Sequence, residues 1–186
     1  MPADTSYIAV FCGSRAGNLP IYEEHAAALG ALIGQEAFSL VYGGASVGIM
    51  GTLANHAMTH GAKVVGVIPK LLLQRERYHS GLTELIVTED MHERKKMMYE
   101  MCNAAVILPG GFGTLDELFE MLTWNQLSIH DKKIYILNSG GFYDHLLRHL
   151  QSLQEHAFLY DSLWTRLASF DEPIALMKAI KLEVGS

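Results

Sequence analysis

Residues 108–124, LPGGFGTLDELFEMLTW, place three glycines within four positions, then a threonine, then acids at 116, 117 and 120. Bare backbone at Gly110, Gly111 and Gly113 can adopt positive φ and turn its N–H groups toward an anion. A helix beginning near Leu115 would add the positive end of its dipole to the same space. Thr114 could cap that helix and still offer its hydroxyl to a phosphate. These parts read as a phosphate cradle that needs no lysine. A local alternative stands beside it. Thr114-x-x-Glu117 has the spacing of a capping box, in which Glu117 bonds back to the N-cap amide and Asp116 complements the dipole. Leu115, Leu118, Phe119 and Leu122 form the stripe expected to face the core. Glu117 and Glu120 fall one turn apart beside that stripe, so an acid pair would border the cradle.

A second candidate lies one helix earlier, in MHERKKMMYEMCN. Asp90 with Glu93 has capping-box spacing and starts this helix. Arg94 shares a face with Met97, Met98 and Met101. It sits in the first turn, where the dipole disfavours a cation. A carboxylate or a phosphate nearby is expected to compensate it.

Both helices need a scaffold. Short β-rich runs at Tyr7–Cys12, Ser39–Tyr42, Lys63–Ile68, Leu85–Thr88, Ala105–Leu108, Ile134–Leu137 and, more weakly, Leu167–Phe170 alternate with helical patterns. Those patterns fall at about 20–36, 48–60, 91–103, 114–128, 142–156 and 172–182. Near-continuous apolar strands alternating with helices predict an α/β fold: one Rossmann-like, doubly wound domain over 1–186. Its sheet is mainly parallel, of about seven strands, with helices on both faces. Ligands in such folds bind at the carboxyl ends of the strands. Three loops rich in small residues gather there: CGSRAG, YGGASVGIMG and PGGFGT. The segment 69–83 is the least regular and could form a flap.

Other motifs fit less well. GFGTLD begins like a dinucleotide fingerprint, but Asp116 holds the third glycine position. Gly43 and Gly48 have Walker spacing, with Ile49 where the lysine belongs. Gly44-Ala45-Ser46-Val47-Gly48 matches a nucleophile elbow, and Asp131, Asp144, His145 or His156 could complete a triad around Ser46. The plainer reading is that these glycines let backbone pass close to a ligand or a helix. His56 with His60, and His145 with His149, pair on helix faces without an evident third metal ligand.

Composition limits the classes. The chain has 186 residues and a formal net charge of −6, which argues against binding a nucleic-acid polymer but not a single nucleotide. No apolar run reaches the ~18 residues of a membrane span, and no signal peptide is evident at the N-terminus. Two cysteines, Cys12 and Cys102, are expected to be buried free thiols, which fits a cytoplasmic setting.

ERKKM followed by PGGFGTLDE resembles the paired motifs R-K-x-x-M and P-G-G-x-G-T-x-x-E of the Lonely Guy family, the cytokinin riboside 5′-monophosphate phosphoribohydrolases. VYGGASVGIMG, VIPKLL, Arg75-Glu76 and LTWNQLSIHDKKIYILNSGGFYDHLL follow the family's order, so the likeness covers about residues 7–160. It implies hydrolysis of the N-glycosidic bond of adenosine 5′-monophosphates, typically N6-substituted, to a free base and ribose 5-phosphate. Arg94 and Glu117 then correspond to catalytic residues. Gly110, Gly111, Phe112, Gly113, Thr114, Leu115 and Asp116 correspond to the phosphate and ribose loop, and Glu76, Lys95 and Thr123 to substrate-binding positions. The resemblance also implies a homodimer and no metal or cofactor. Phe112 and Asp116 stand where tyrosine and glutamate are common, and 69–83 departs further. Two rival readings remain: a non-catalytic nucleotide or molybdenum-cofactor carrier on the same cradle, and a serine hydrolase using Ser46. A pyridoxal-phosphate decarboxylase lacks an identifiable lysine site.

Overall fold

The computed structural model describes residues 6–73 and 77–184. Seven strands form one sheet: β1 (Tyr7–Phe11), β2 (Ser39–Tyr42), β3 (Val64–Pro69), β4 (Glu84–Thr88), β5 (Ala104–Ile107), β6 (Lys133–Leu137) and β7 (Leu167–Phe170). All neighbouring pairs are parallel, in the spatial order β4-β3-β2-β1-β5-β6-β7. The sheet is therefore wholly parallel rather than mainly so. The inner strands are buried on both sides, as their unbroken apolar runs require.

Helices α1 (Ile21–Gln35), α2 (Gly48–Thr59), α3 (Lys70–Leu73), α4 (Met91–Met101), α5 (Phe112–Gln126), α6 (Asp144–Glu155) and α7 (Pro173–Val184) link the strands. One apolar layer packs α1, α2 and α7 on the sheet through Leu29, Leu53 and Leu176. The other packs α4, α5 and α6 through Met98, Leu118 and Leu150. Among the described residues no helix is long and apolar enough to cross a membrane. Cys12 and Cys102 are buried free thiols.

The chain builds outward from β1 through β4, then returns to the other side of β1 with β5. The switch point thus lies between β1 and β5, where a doubly wound sheet opens its ligand crevice. The loops leaving these two strands are joined there, with the Gly13 N–H donating to the Pro109 carbonyl at 3.0 Å.

The segment expected to form a flap is anchored over most of its described length. Lys70–Leu73 is a short helix. Residues 77–79 run antiparallel to Gly44–Ser46, with Ser46 N–H donating to Arg77 O at 2.8 Å and His79 N–H to Gly44 O at 2.9 Å. Glu76, with Gln74 and Arg75, lies outside the described residues.

Candidate active site

Helix α5 starts two residues earlier than Thr114. Gly111 is its N-cap and offers no side chain to the first amides. The Leu115 N–H already donates to Gly111 O at 3.1 Å. The amides of Phe112, Gly113 and Thr114 are the N-terminal donors that an α-helix leaves without an intrahelical partner. Positive φ is not how this cradle is made, because Gly110, Gly111 and Gly113 are absent from the glycines with positive φ. The need is space. A Cβ on Gly110 would lie 2.1 Å from Thr114 Oγ1, whereas Cβ atoms on Gly111 and Gly113 would meet nothing within 4 Å. Gly110 lets the threonine hydroxyl tuck against the loop, and the other two leave main chain open to the cleft. That hydroxyl has no hydrogen-bond partner among the described residues.

The buried face of α5 is also not the expected one. Thr114, Glu117, Leu118, Met121 and Leu122 are buried, while Phe119 is 39% exposed. Glu117 makes no capping box. Its partner comes from α4: Arg94 Nη1 lies 3.0 Å from Glu117 Oε1, and both side chains are only 7% exposed. Arg94 Nε donates to the Val67 carbonyl of β3 at 3.0 Å. The cation misplaced in a first turn thus has its carboxylate. Asp90 caps α4 by accepting from the His92 and Glu93 amides, each at 2.9 Å. Glu93 returns its bond to Glu89 N–H at 2.7 Å, not to the N-cap itself.

Burial pushes the Glu117 carboxyl up to about 7; the Arg94 charge opposes the rise and Asp116 adds to it. Pairing with Arg94 therefore does not hold the group firmly ionised, because desolvation outweighs the attraction. Burial, then the Glu117 charge, also push the Cys12 thiol up, so it faces the site as a neutral wall.

Beside the pair, Lys95 Nζ sits 3.0 Å from Asp116 Oδ2 and 2.8 Å from Glu120 Oε2. Partial burial works against the Lys95 charge, but the hydrogen bonds to Glu120 and Asp116 outweigh it, so the ammonium holds its proton more tightly than an ordinary lysine. The Tyr99 hydroxyl reaches Glu120 Oε2 at 3.1 Å and the Glu117 carbonyl at 3.2 Å. No sequence motif marks Tyr99, the Val67 carbonyl or the part that Gly43 plays here. At Gly43 a Cβ would come within 2.5 Å of Arg94 Nη2.

A cleft of about 220 Å³ brings together Cys12, Arg94, Gly111, Gly113, Thr114 and Glu117. An adjoining apolar cleft of about 260 Å³, walled by Tyr22, Ile49 and Phe142, shares Gly13, Ser14 and Gly111 with it. A larger cavity, about 570 Å³, opens elsewhere, lined by Asn125, His130, Asp131 and Arg166, and holds none of the residues that the family resemblance assigns to the site. Thr123 also stands apart. Its hydroxyl donates to Phe119 O at 2.7 Å on the exposed face of α5. Lys95 and Asp116 pair at the outer rim, and Phe112 is 94% exposed there.

The rival motifs resolve into local structure. Ser46 Oγ donates to the Arg77 carbonyl at 2.9 Å. His56 Nδ1 and His60 Nδ1 each bond the carbonyl one turn back, at 2.9 and 2.8 Å. Among the described residues no group of three or more His, Cys, Asp or Glu side chains is placed to hold a metal.

A wholly parallel doubly wound sheet, with a glycine-lined helix start and a buried Arg–Glu pair at its switch point, defines a Rossmann-like protein with a candidate small-ligand site. Comparison with known proteins makes the assignment narrower. A family model described as "Possible lysine decarboxylase" matches residues 50–180. An Oryza sativa subsp. japonica protein named "Probable cytokinin riboside 5'-monophosphate phosphoribohydrolase LOGL1" is 47% identical over 140 residues, 75% of this chain and 63% of that one. This chain thus spans slightly under two thirds of the rice protein. The cytokinin riboside 5'-monophosphate phosphoribohydrolase of Rhodococcoides fascians is 43% identical over 161 residues, 86% of this chain and 81% of that one. Arabidopsis thaliana LOG1, of the same name, is 43% identical over 152 residues, covering 82% and 71%. The chain belongs to this family, the Lonely Guy phosphoribohydrolases. In fold it is also similar to the molybdenum cofactor binding protein of Rippkaea orientalis, with TM-score 0.75 and 21% identity over 98% of this chain and 99% of that one. The Moco carrier protein of Chlamydomonas reinhardtii gives 0.76 and 19% over 99% and 100%.

Proposed function

We propose that the protein hydrolyses the N-glycosidic bond of an adenosine 5′-monophosphate of the cytokinin riboside type, releasing the free base and ribose 5-phosphate. The observation that carries this reading is the buried Arg94–Glu117 pair beside the open amides of α5. Relatives of 41–47% identity named for that reaction support it.

The phosphate binds the amides of Phe112, Gly113 and Thr114 and the Thr114 hydroxyl. Its charge complements the positive end of α5. The ribose then lies over Glu117. As the C1′–N9 bond breaks, its electron pair leaves with the base and positive charge develops on the sugar. The Glu117 carboxylate stabilises that charge and orients the water whose oxygen joins C1′. One water proton returns to the departing base. Arg94 holds the carboxylate in place and offsets negative charge in the site. Binding of the remote phosphate positions the sugar for this step.

Lys95 and Asp116 pair beside the site, Leu115 packs partly buried against the core under it, and Glu76 is assigned to substrate binding by the family resemblance alone. Thr123 lies six residues beyond Glu117, about 9 Å along α5 and turned well away from it. It shares an exposed face with Phe112 and Phe119. We infer a homodimer that covers this face, so that Thr123 meets substrate across the interface. The buried thiols fit a reducing cytoplasm.

The test is chromatography of products from a panel of 5′-monophosphates and nucleosides. Free base from adenosine 5′-monophosphates, with adenosine turned over at least about 100-fold more slowly, is the expected result. Equal turnover of both would remove the phosphate cradle from the account. Tight AMP binding with no base released would leave a binding protein.

A further inference from the structure

We propose that Glu120 is a positioning residue for this reaction, fixing the turn of α5 that carries Glu117; the inference rests on the hydrolytic reading above. A single atom makes the case. Glu120 Oε2 receives Lys95 Nζ at 2.8 Å and the Tyr99 hydroxyl at 3.1 Å. Lys95 and Tyr99 are one turn apart on α4, so one carboxylate oxygen ties two successive turns of α4 to α5.

The tie lies next to the chemistry. Arg94 precedes Lys95 and turns inward to Glu117, while Lys95 rests on the carboxylates at 116 and 120. Tyr99 also reaches the main-chain carbonyl of Glu117 at 3.2 Å. Its ring is held by edge contacts to Phe11 and Trp124, with centroids 5.8 and 5.0 Å apart. Glu120 is therefore fastened to a rigid side chain and to a cation, and the helical turn from 117 to 120 moves with it.

Exposure favours a real constraint over a surface pair. The Lys95 and Glu120 side chains are 14% and 18% exposed, against 61% for Asp116. Partly buried, multiply bonded charges hold geometry better than solvated ones. Charge balance adds a reason. Residues 116, 117 and 120 place three carboxylates on about one turn of α5, faced by Arg94 and Lys95 from α4. Lys95 keeps the outer two occupied, leaving Arg94 to Glu117.

The test uses Glu120→Gln and Tyr99→Phe, each alone, together, and with Glu117→Gln. Turnover of AMP, AMP affinity by calorimetry and melting temperature are measured for each. Glu120→Gln is expected to lower kcat by about 10- to 100-fold, the scale of a small misplacement of a reacting group. KM and AMP affinity should stay within about twofold. Tyr99→Phe should lose less, and the double variant no more than Glu120→Gln alone, because both act on one tie. In the Glu117→Gln background, Glu120→Gln should change nothing further. A severalfold rise in KM with unchanged kcat would make Glu120 part of substrate binding and overturn the proposal. Unchanged kcat with a lowered melting temperature would leave it a packing residue and overturn it equally. No release of base by the unaltered protein would remove the hydrolytic reading itself, and normal turnover by Glu117→Gln would remove Glu117 as the acting group, whereas lost turnover in Glu117→Gln with normal kcat in Glu120→Gln would remove only this proposal.

Discussion

Gly43 and Arg94 occupy space that only one of them can fill: a Cβ at position 43 would stand 2.5 Å from Arg94 Nη2. The guanidinium is already fixed on two other sides, by the Val67 carbonyl and by Glu117. Its way of retreat is toward the cleft that it lines with Glu117. The glycine after β2 is therefore part of the site although it bears no functional group. Gly43→Ala is expected to lower kcat for AMP by about tenfold or more by displacing Arg94. Its effect on melting temperature should be smaller than that of Arg94→Ala. Steady-state kinetics beside a thermal melt would check this; unchanged kcat would mean that Arg94 can move without consequence.

The raised Glu117 carboxyl gives the reaction a pH signature. If the ionised form works, kcat/KM should rise with pH through about 7, where an unperturbed glutamate would give a rise near 4.5. A rate profile between about pH 5 and 9 reads the midpoint. A profile flat above about pH 5.5 would contradict a working Glu117 carboxyl raised by burial.

The same group sets a stability prediction for Arg94→Ala. A carboxyl whose folded pKa is raised from 4.5 to about 7 contributes stability that is full below 4.5 and is lost as pH rises through about 7. Removing Arg94 takes away the charge that opposes the rise, so the losing window extends upward. The variant should be destabilised more at about pH 8.5 than at about pH 6, by roughly 1.4 kcal/mol for each tenfold loss of acidity at the carboxyl. Denaturant unfolding of both proteins at the two pH values would show it. Equal destabilisation at both would mean that Glu117 is solvated in the folded chain.

Much of this architecture is written in local patterns. The seven strands are visible as apolar runs because a parallel sheet buries both faces of its inner strands, and the observed limits differ from expectation by one residue or none at each end. The start of α5 escapes a local reading for an equally local reason. Thr114-x-x-Glu117 has a capping grammar, but the helix begins at Phe112 under an uncapped Gly111, and Glu117 answers to an arginine 23 positions away. Phe119, which the apolar stripe places in the core, is exposed because α5 turns Thr114, Glu117 and Met121 inward instead. Arg94 can be read as needing a partner, because a cation in a first turn is out of place. The clearance at Gly43 and the tie at Glu120 cannot, since both exist only once β2, α4 and α5 are side by side.

The cradle makes its own prediction. Thr114→Val removes the hydroxyl that lines the cleft while keeping a β-branched shape of similar size. AMP affinity should fall about tenfold, the scale of a hydrogen bond to a charged group, with little change for adenosine. Calorimetry with both ligands would measure the difference. An equal loss for adenosine would place the threonine at the sugar or base and not at the phosphate.

Glu117 is the group proposed to act on the sugar, and Glu117→Gln tests that most directly. Release of base from AMP should fall by about 100-fold or more, while calorimetric AMP affinity stays within about threefold, because the phosphate donors of α5 are untouched. Base release near the wild-type rate would contradict the account, leaving the buried Arg94–Glu117 pair a structural tie between two helices.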